Sequence, residues 1–185
     1  MRRLAAAGAA LALSACAGLS PPPAPAAAAV VDEPFALSAR LSARRDAQGA
    51  AAHLDWAHEP GRDTIEFATP MGSTLARLSR DSAGAVVELA DGRTIAESRA
   101  DALAERTLGF ALPIDGLAWW IRGVARPGSA HAAERDSRGR AIVLAQDGWT
   151  VVYTYADEGS ARPSRIDARF PGLDVRIVVD EWRPR

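Results

Sequence analysis

From Phe35 onward, hydrophobic and polar residues alternate with a period of two. Phe35, Leu37 and Ala39 alternate with Ala36, Ser38 and Arg40, Leu54 and Trp56 with His53, Asp55 and Ala57, and Ile65 and Phe67 with Thr64, Glu66 and Ala68. Near the C-terminus, Leu173, Val175, Ile177 and Val179 face one way and Asp174, Arg176, Val178 and Asp180 the other. Alternation of this kind predicts strands with one buried face. Turn dipeptides punctuate the pattern at Pro60-Gly61, Asp91-Gly92, Arg138-Gly139, Asp147-Gly148 and Pro171-Gly172. Short strands joined by such turns predict an antiparallel sheet that curls.

Two stretches depart from this period. Ala100 to Leu108 is rich in Ala, Leu and Glu, carries Leu103, Thr107 and Leu108 on one stripe, and reaches Gly109, which suits a helix end. Pro113 then opens a second helix with Leu117, Trp120 and Ile121 on one face, stopped by Gly123. The fold class is therefore α+β, mostly antiparallel β, with a helical insert of a size to cover one mouth of the sheet. Arg, Asp and Glu occupy the strand face opposite the apolar one. A membrane-spanning barrel would need lipid there, so the pattern describes a water-soluble cup.

The N-terminal segment is of another kind. Arg2 and Arg3 precede the apolar run Leu4 to Leu13, the pattern of a signal peptide spanning residues 1–15. The run is shorter than the roughly 20 residues that span a bilayer. Leu13-Ser14-Ala15-Cys16 resembles a bacterial lipobox, in which Cys16 would carry S-diacylglycerol and an N-acyl chain. The alternative is a signal peptide with a spare thiol nearby. Three acyl chains exceed the two needed for stable anchoring. Ala17 in place of an aspartate favours the outer membrane over inner-membrane retention. Residues 16–31, with Pro21, Pro22, Pro23 and Pro25, read as an extended tether, and residues 32–185 as one domain.

Composition narrows the chemistry. The 185 residues include 22 basic side chains, all arginine, against 23 acidic ones, for a net charge of -1. Such a balance argues against nucleic acid as a partner. A single cysteine excludes an internal disulfide, and no metal-ligand or catalytic motif occurs, so neither a metal, another cofactor nor an enzymatic role is expected. His53, His58 and His131 read as solvated residues, and the acidic residues as surface charge. The remaining candidates are apolar. Wide rings among many alanines leave room for an unfilled, dry cavity, although an ordinary full core is the competing reading. Thr69-Pro70-Met71-Gly72 fits a type I turn with Met71 at a hairpin tip, where the side chain either folds back on its sheet or projects toward lipid.

Several segments together resemble the LolB family, the outer-membrane receptors of the bacterial lipoprotein-localisation pathway. Leu112 to Gly123 looks like the family's "LP…L..W..G" helix, Gln146 to Tyr153 like its "Q-(D/N)-G-W-x-V-x-Y" hairpin, Trp182 like its terminal strand, and Thr69 to Ser73 like its protruding "(T/N)-P-L-G-x" loop. The resemblance implies an open (half) β-barrel of about eleven strands with a helical lid over an apolar cavity. It further implies a membrane-insertion loop of Pro70, Met71 and Gly72, with methionine in place of the family's leucine. Trp56, Phe67, Leu117, Trp120, Trp149, Tyr153 and Trp182 are the residues it places around acyl chains. The implied partners are acylated lipoprotein cargo, a soluble periplasmic carrier (LolA-like) and outer-membrane lipid, with the chain itself a monomer. The rivals are a lipocalin-like carrier of small hydrophobic ligands and a structural lipoprotein with a filled core.

Overall fold

A computed structural model describes residues 31–108 and 112–183. The expected signal segment, Cys16, nearly all of the tether and Gly109 lie outside the described residues. The chain forms strands β1 (Phe35–Arg45), β2 (Gln48–Glu59), β3 (Arg62–Ala68), β4 (Thr74–Asp81), β5 (Gly84–Leu89) and β6 (Thr94–Glu97). Helices α1 (Ala100–Leu108) and α2 (Ile114–Trp120) follow. Strands β7 (His131–Arg135), β8 (Ala141–Gln146), β9 (Trp149–Thr154), β10 (Arg165–Phe170) and β11 (Leu173–Arg183) complete it.

All eleven strands belong to one sheet in the order β6-β5-β4-β3-β2-β1-β11-β10-β9-β8-β7. Two antiparallel meanders thus meet where the first strand pairs with the last. Edges β6 and β7 do not pair, so the barrel stays open, and the helical insert runs from one free edge to the other. Helix α1 packs on β5 and β6, and α2 on α1. The five glycine turns read from the sequence all fall at strand junctions. At Asp147-Gly148, both residues have positive φ, 52° and 80°, which suits the two-residue connection between β8 and β9.

The period of two holds. Phe35, Leu37, Ala39, Leu54, Trp56, Ile65, Leu173, Val175 and Ile177 are buried together. A register shift between Ser38 and Ala39 opposite β11 then changes the phase. Ala39 pairs with Val179 but Leu37 pairs with Trp182, an even-numbered position, and the Trp182 ring meets Phe35 edge-on at 5.7 Å. A bulge of this kind lets Trp182 reach the same face as the odd-numbered residues of its strand.

One polar cluster ties the cup, the tether and the lid together. His58, expected as a solvated residue, is 1% exposed, and Asp63, expected as surface charge, is 0% exposed. Both face inward because the period that buries Leu54 and Trp56 continues to His58, and that of Ile65 and Phe67 begins at Asp63. His53 and His131 are exposed, as expected. Asp63 Oδ1 accepts from Trp56 Nε1 at 2.7 Å and lies 2.8 Å from His58 Nδ1. Its Oδ2 accepts from Arg80 Nε at 2.7 Å and also from Arg80 Nη2. His58 Nε2 lies 2.9 Å from Asp32 Oδ1, at the foot of the tether. Arg122, just past α2, donates to the same oxygen at 3.0 Å and to Glu33 O at 3.2 Å. Arg80 Nη1 stands 3.1 Å from Asp115 Oδ1 on α2, an ion-pair contact not aligned as a hydrogen bond.

Burial works to lower the His58 pKa, but the hydrogen bonds and charges of Asp63 and Asp32 outweigh it and raise the value above 6.5. Burial pushes Asp63 up, whereas His58, Arg80 and Trp56 pull it below the ordinary carboxylate value. A proton held more tightly in the folded chain stabilises the fold while bound. The His58 contribution is therefore full below 6.5 and is lost as pH rises through the raised folded value. Thermal unfolding in mildly acidic and mildly alkaline buffers should reveal that loss, and His58→Gln should flatten it; equal pH dependence in both proteins would exclude His58 as its source. Asp63→Ala, which leaves a buried arginine contact uncompensated, should cost about 3–5 kcal/mol in chemical denaturation.

Candidate functional site: an apolar cavity beside an exposed hairpin tip

Between the sheet and the helices lies a cavity of about 290 Å³. Its walls come from Leu41 and Ala43 of β1, Ala52 of β2, Phe67 of β3, Ala76 and Leu78 of β4, and Val87 and Leu89 of β5. Leu103 and Ala104 of α1 and Leu112 and Ile114 around the start of α2 roof it. Among the described residues, no charged side chain lines it. An apolar void has no partner for water, so it stays dry and accepts hydrocarbon. The alanines explain why space remains, since a sheet of this curvature keeps its walls apart while small side chains leave the middle unfilled.

The seven residues expected around acyl chains divide. Phe67 stands in the cavity wall. Trp56, Leu117, Trp120, Trp149, Tyr153 and Trp182 lie outside that wall and pack into the core. Buried indoles need an acceptor for their N–H. Trp56 has Asp63, Trp120 donates to Gln146 Oε1 at 2.8 Å, and Trp182 donates to Pro163 O at 3.2 Å. Gln146 also accepts from the Arg126 N–H at 2.8 Å and donates to Arg126 O at 2.7 Å, pinning the segment after α2 to the β8–β9 hairpin. Gly116 fits beneath the Trp120 ring, where an added Cβ would stand 3.0 Å away. Burial raises the Tyr153 hydroxyl pKa. Sequence reasoning missed Leu41, Leu75, Leu89 and Leu103 as cavity residues. Inward alanines at Ala43, Ala52 and Ala76 were the available signal.

The β3–β4 hairpin connects the cavity to the surface. Gly72 N–H donates to Thr69 O at 2.8 Å, and Thr69 N–H to Ser73 O at 2.8 Å. Gly72 has φ 88°, while Met71 is not among the positive-φ residues, so the turn is type I followed by a left-handed glycine. Turns with the same two bonds end at Gly92 and Gly139, with Ala90-Asp91 and Ser137-Arg138 at their tips. The geometry therefore tolerates polar residues, yet here the tip is Pro70-Met71. Of the two orientations left open by the sequence, the structure has the projecting one: Met71 is 97% exposed. Burying such a side chain is worth roughly 1.5–3 kcal/mol, none of it realised in water. Phe67 pairs with Ala76 and Ala68 with Thr74, so Leu75 is an extra residue. That bulge lets half-exposed Leu75 line the cavity, continuing the apolar track from the tip inward.

The family model for the outer membrane lipoprotein LolB matches residues 33–182. The chain belongs to the LolB family. It is 37% identical over 162 residues to the outer-membrane lipoprotein LolB of Chromobacterium violaceum, covering 87% of each chain. The LolB of Thiobacillus denitrificans is 34% identical over 184 residues, covering 99% of this chain and 98% of its own. Among solved structures, a LolA superfamily protein from Nitrosomonas europaea shares the fold, with a TM-score of 0.51 at 11% identity, over 83% of this chain and 87% of its own. These matches agree with the open, eleven-stranded antiparallel sheet and helical insert of this LolB-family chain.

Ala76→Phe should put a ring into the void. An apolar fluorescent probe should then bind about tenfold more weakly, the loss of roughly 50–60 Å² of contact at about 25 cal/mol per Å². Far-UV circular dichroism should be unchanged. Undiminished probe binding would place the apolar site elsewhere.

Proposed function

We propose that this chain accepts acylated proteins from a soluble periplasmic carrier at the outer membrane and releases them into its inner leaflet. One observation carries the reading: an all-apolar cavity and a fully projecting apolar hairpin tip are joined by a single hairpin. Acyl chains are strongly disfavoured in water, so a hand-off must keep them covered throughout. Successively better apolar surroundings then give direction without a nucleotide, provided the cavity holds acyl chains more tightly than the carrier and less tightly than the bilayer.

The cavity as it stands is small for this task. Pockets for drug-sized ligands run from about 300 to 1,000 Å³, and the void is about 290 Å³. Several acyl chains need more room, so the helices must move outward when cargo enters. The Arg80–Asp115 and Arg122–Asp32 contacts are what that motion has to part. Anchoring through acylated Cys16 and a tether to residue 31 belongs to the same reading and holds the cup near the leaflet it serves. The family membership supports the outer-membrane setting.

Met71→Glu separates reception from release. Carrier loaded with an acylated protein should still pass its cargo to the variant, whereas delivery from the variant into bilayers should fall by tenfold or more, the order expected when a methionine's burial energy is replaced by the cost of burying a carboxylate. Delivery at the unaltered rate would remove the tip from the mechanism. A defined small ligand in solvent extracts of the purified protein would favour a lipocalin-like carrier instead.

A further inference from the structure

The convex face of the sheet is laced with ion pairs, and most of them balance. Arg40 pairs with Asp180, Arg77 with Glu66 and Arg183 with Asp55. The balance fails at one place. On β10 and β11, Asp167 takes both Arg165 and Arg176, at 2.7 and 2.6 Å. Next to it, Asp174 is shared by Arg44 of β1 and Arg169 of β10, at 3.8 and 3.6 Å. Four arginines thus stand on two aspartates, an excess of two positive charges. In the adjoining β1–β2 turn, Arg45 and Asp46 cancel in formal charge.

Arg44 and Arg169 are also the loosely held members. Their side chains are 73% and 69% exposed, and their contacts with Asp174 are longer than a hydrogen bond. Beside them Ser42 of β1 and Gly49 and Ala51 of β2 leave an open depression of about 540 Å³, lined by Arg44, Arg169 and Arg176 together with Asp167 and Asp174. A cluster with surplus guanidinium groups and a floor without bulk is suited to oxyanions, above all phosphate, which arginine binds in a forked geometry.

The register says where this patch lies relative to the hairpin tip. His53 pairs with Ala68 on one side and Arg40 on the other. Carried on in the same direction, Met71 stands at about the height of Ala43, whose partner on β11 is Val175. Arg44, Asp174 and Arg169 neighbour those positions, two to four strands away at about 4.8 Å per strand. The patch and the tip therefore share one end of the sheet.

We propose that this arginine cluster binds the phosphate of anionic phospholipid headgroups and sets the orientation of the domain on the bilayer that Met71 enters. The proposal rests on the membrane step described above and adds to it a lipid class and a second contact point. Exposed charges are screened over about 8 Å at physiological ionic strength, so the cluster contributes only once this end is at the surface. The tip supplies apolar depth, and the arginines fix the angle at which the mouth meets the leaflet.

The test uses the chain without the signal segment, residues 16–185, carrying Cys16→Ala, so that neither the apolar run Leu4 to Leu13 nor an acyl anchor contributes. Vesicles of phosphatidylcholine alone are compared with vesicles containing a minor fraction of phosphatidylglycerol. Phosphatidylglycerol should tighten binding by the order of tenfold for two surplus charges, and added salt should erase the gain. The double variant Arg44→Gln with Arg169→Gln should lose that gain while binding neutral vesicles as before, and Arg44→Lys with Arg169→Lys should keep most of it. No gain from phosphatidylglycerol, or a gain the glutamine variant retains, overturns the proposal. Binding of inorganic phosphate without any gain from phosphatidylglycerol overturns it in favour of a free-anion site. Neutral vesicles read the tip alone: if they fail to bind, the role of Met71 falls, whereas the cluster still stands or falls on the phosphatidylglycerol gain.

Discussion

Asp63 is a carboxylate with no exposure inside a mostly apolar cup, and the contacts around it are organised to satisfy it. An isolated buried charge is too costly to keep, so its partners have to be present together. They come from different places in the fold: Trp56 and His58 on β2 and Arg80 on β4. Arg80 then reaches α2 through Asp115, while His58 reaches the foot of the tether through Asp32. Well-packed hydrophobic residues of similar volume often match a buried ion pair in stability, because desolvation offsets much of the attraction between the charges. Such a replacement would not supply direction. Polar contacts connect the lid to the sheet at defined atoms, which an apolar patch does not do.

That connection explains how the cup can be full at one part and hollow at another. Trp56, Trp120, Trp149 and Trp182 sit away from the cavity wall, three of them with their indole N–H groups donated to side-chain or backbone acceptors. The packed region carries much of the apolar burial that offsets chain entropy. The cavity region is lined by alanines and a few leucines and contributes less. A void is tolerable there because the fold does not rely on that region for its stability.

The sequence made the strands legible because period two and glycine turns are local signals. The turns without glycine, at Asp46-Ala47 and Ser82-Ala83, carried a weaker signal, although Asp46 adopts φ 52° much as a glycine would. Met71 was legible as a tip residue, but its direction depends on what surrounds it. His58 and Asp63 were misread on polarity alone. The information was present: a two-residue turn at Pro60-Gly61 pairs position 59 with 62 and therefore 58 with 63, and both continue the inward period of their strands. The role of the tryptophans was not legible, since a buried indole and a cavity-lining indole have the same periodicity. Deciding between them requires knowing where the acceptors Asp63, Gln146 and Pro163 O fall, which is a tertiary fact.

The open seam between β6 and β7 gives the last constraint. A closed barrel would fix the volume of its interior, because every strand would be held by two neighbours. Here the two edge strands are bridged only by α1, α2 and their connections, so the interior can widen by moving helices without breaking a strand ladder. That motion is opposed by the apolar side chains the helices bury, Leu103, Leu117 and Trp120 among them, and by hydrogen bonds and ion pairs at the margin of the lid. Under the proposed function, this balance sets how readily cargo is taken up and released. Opening exposes part of that apolar surface to water, a cost that an entering hydrocarbon chain offsets by covering it again. The ion pairs at the margin add less to it, because water can take over their partners as they part.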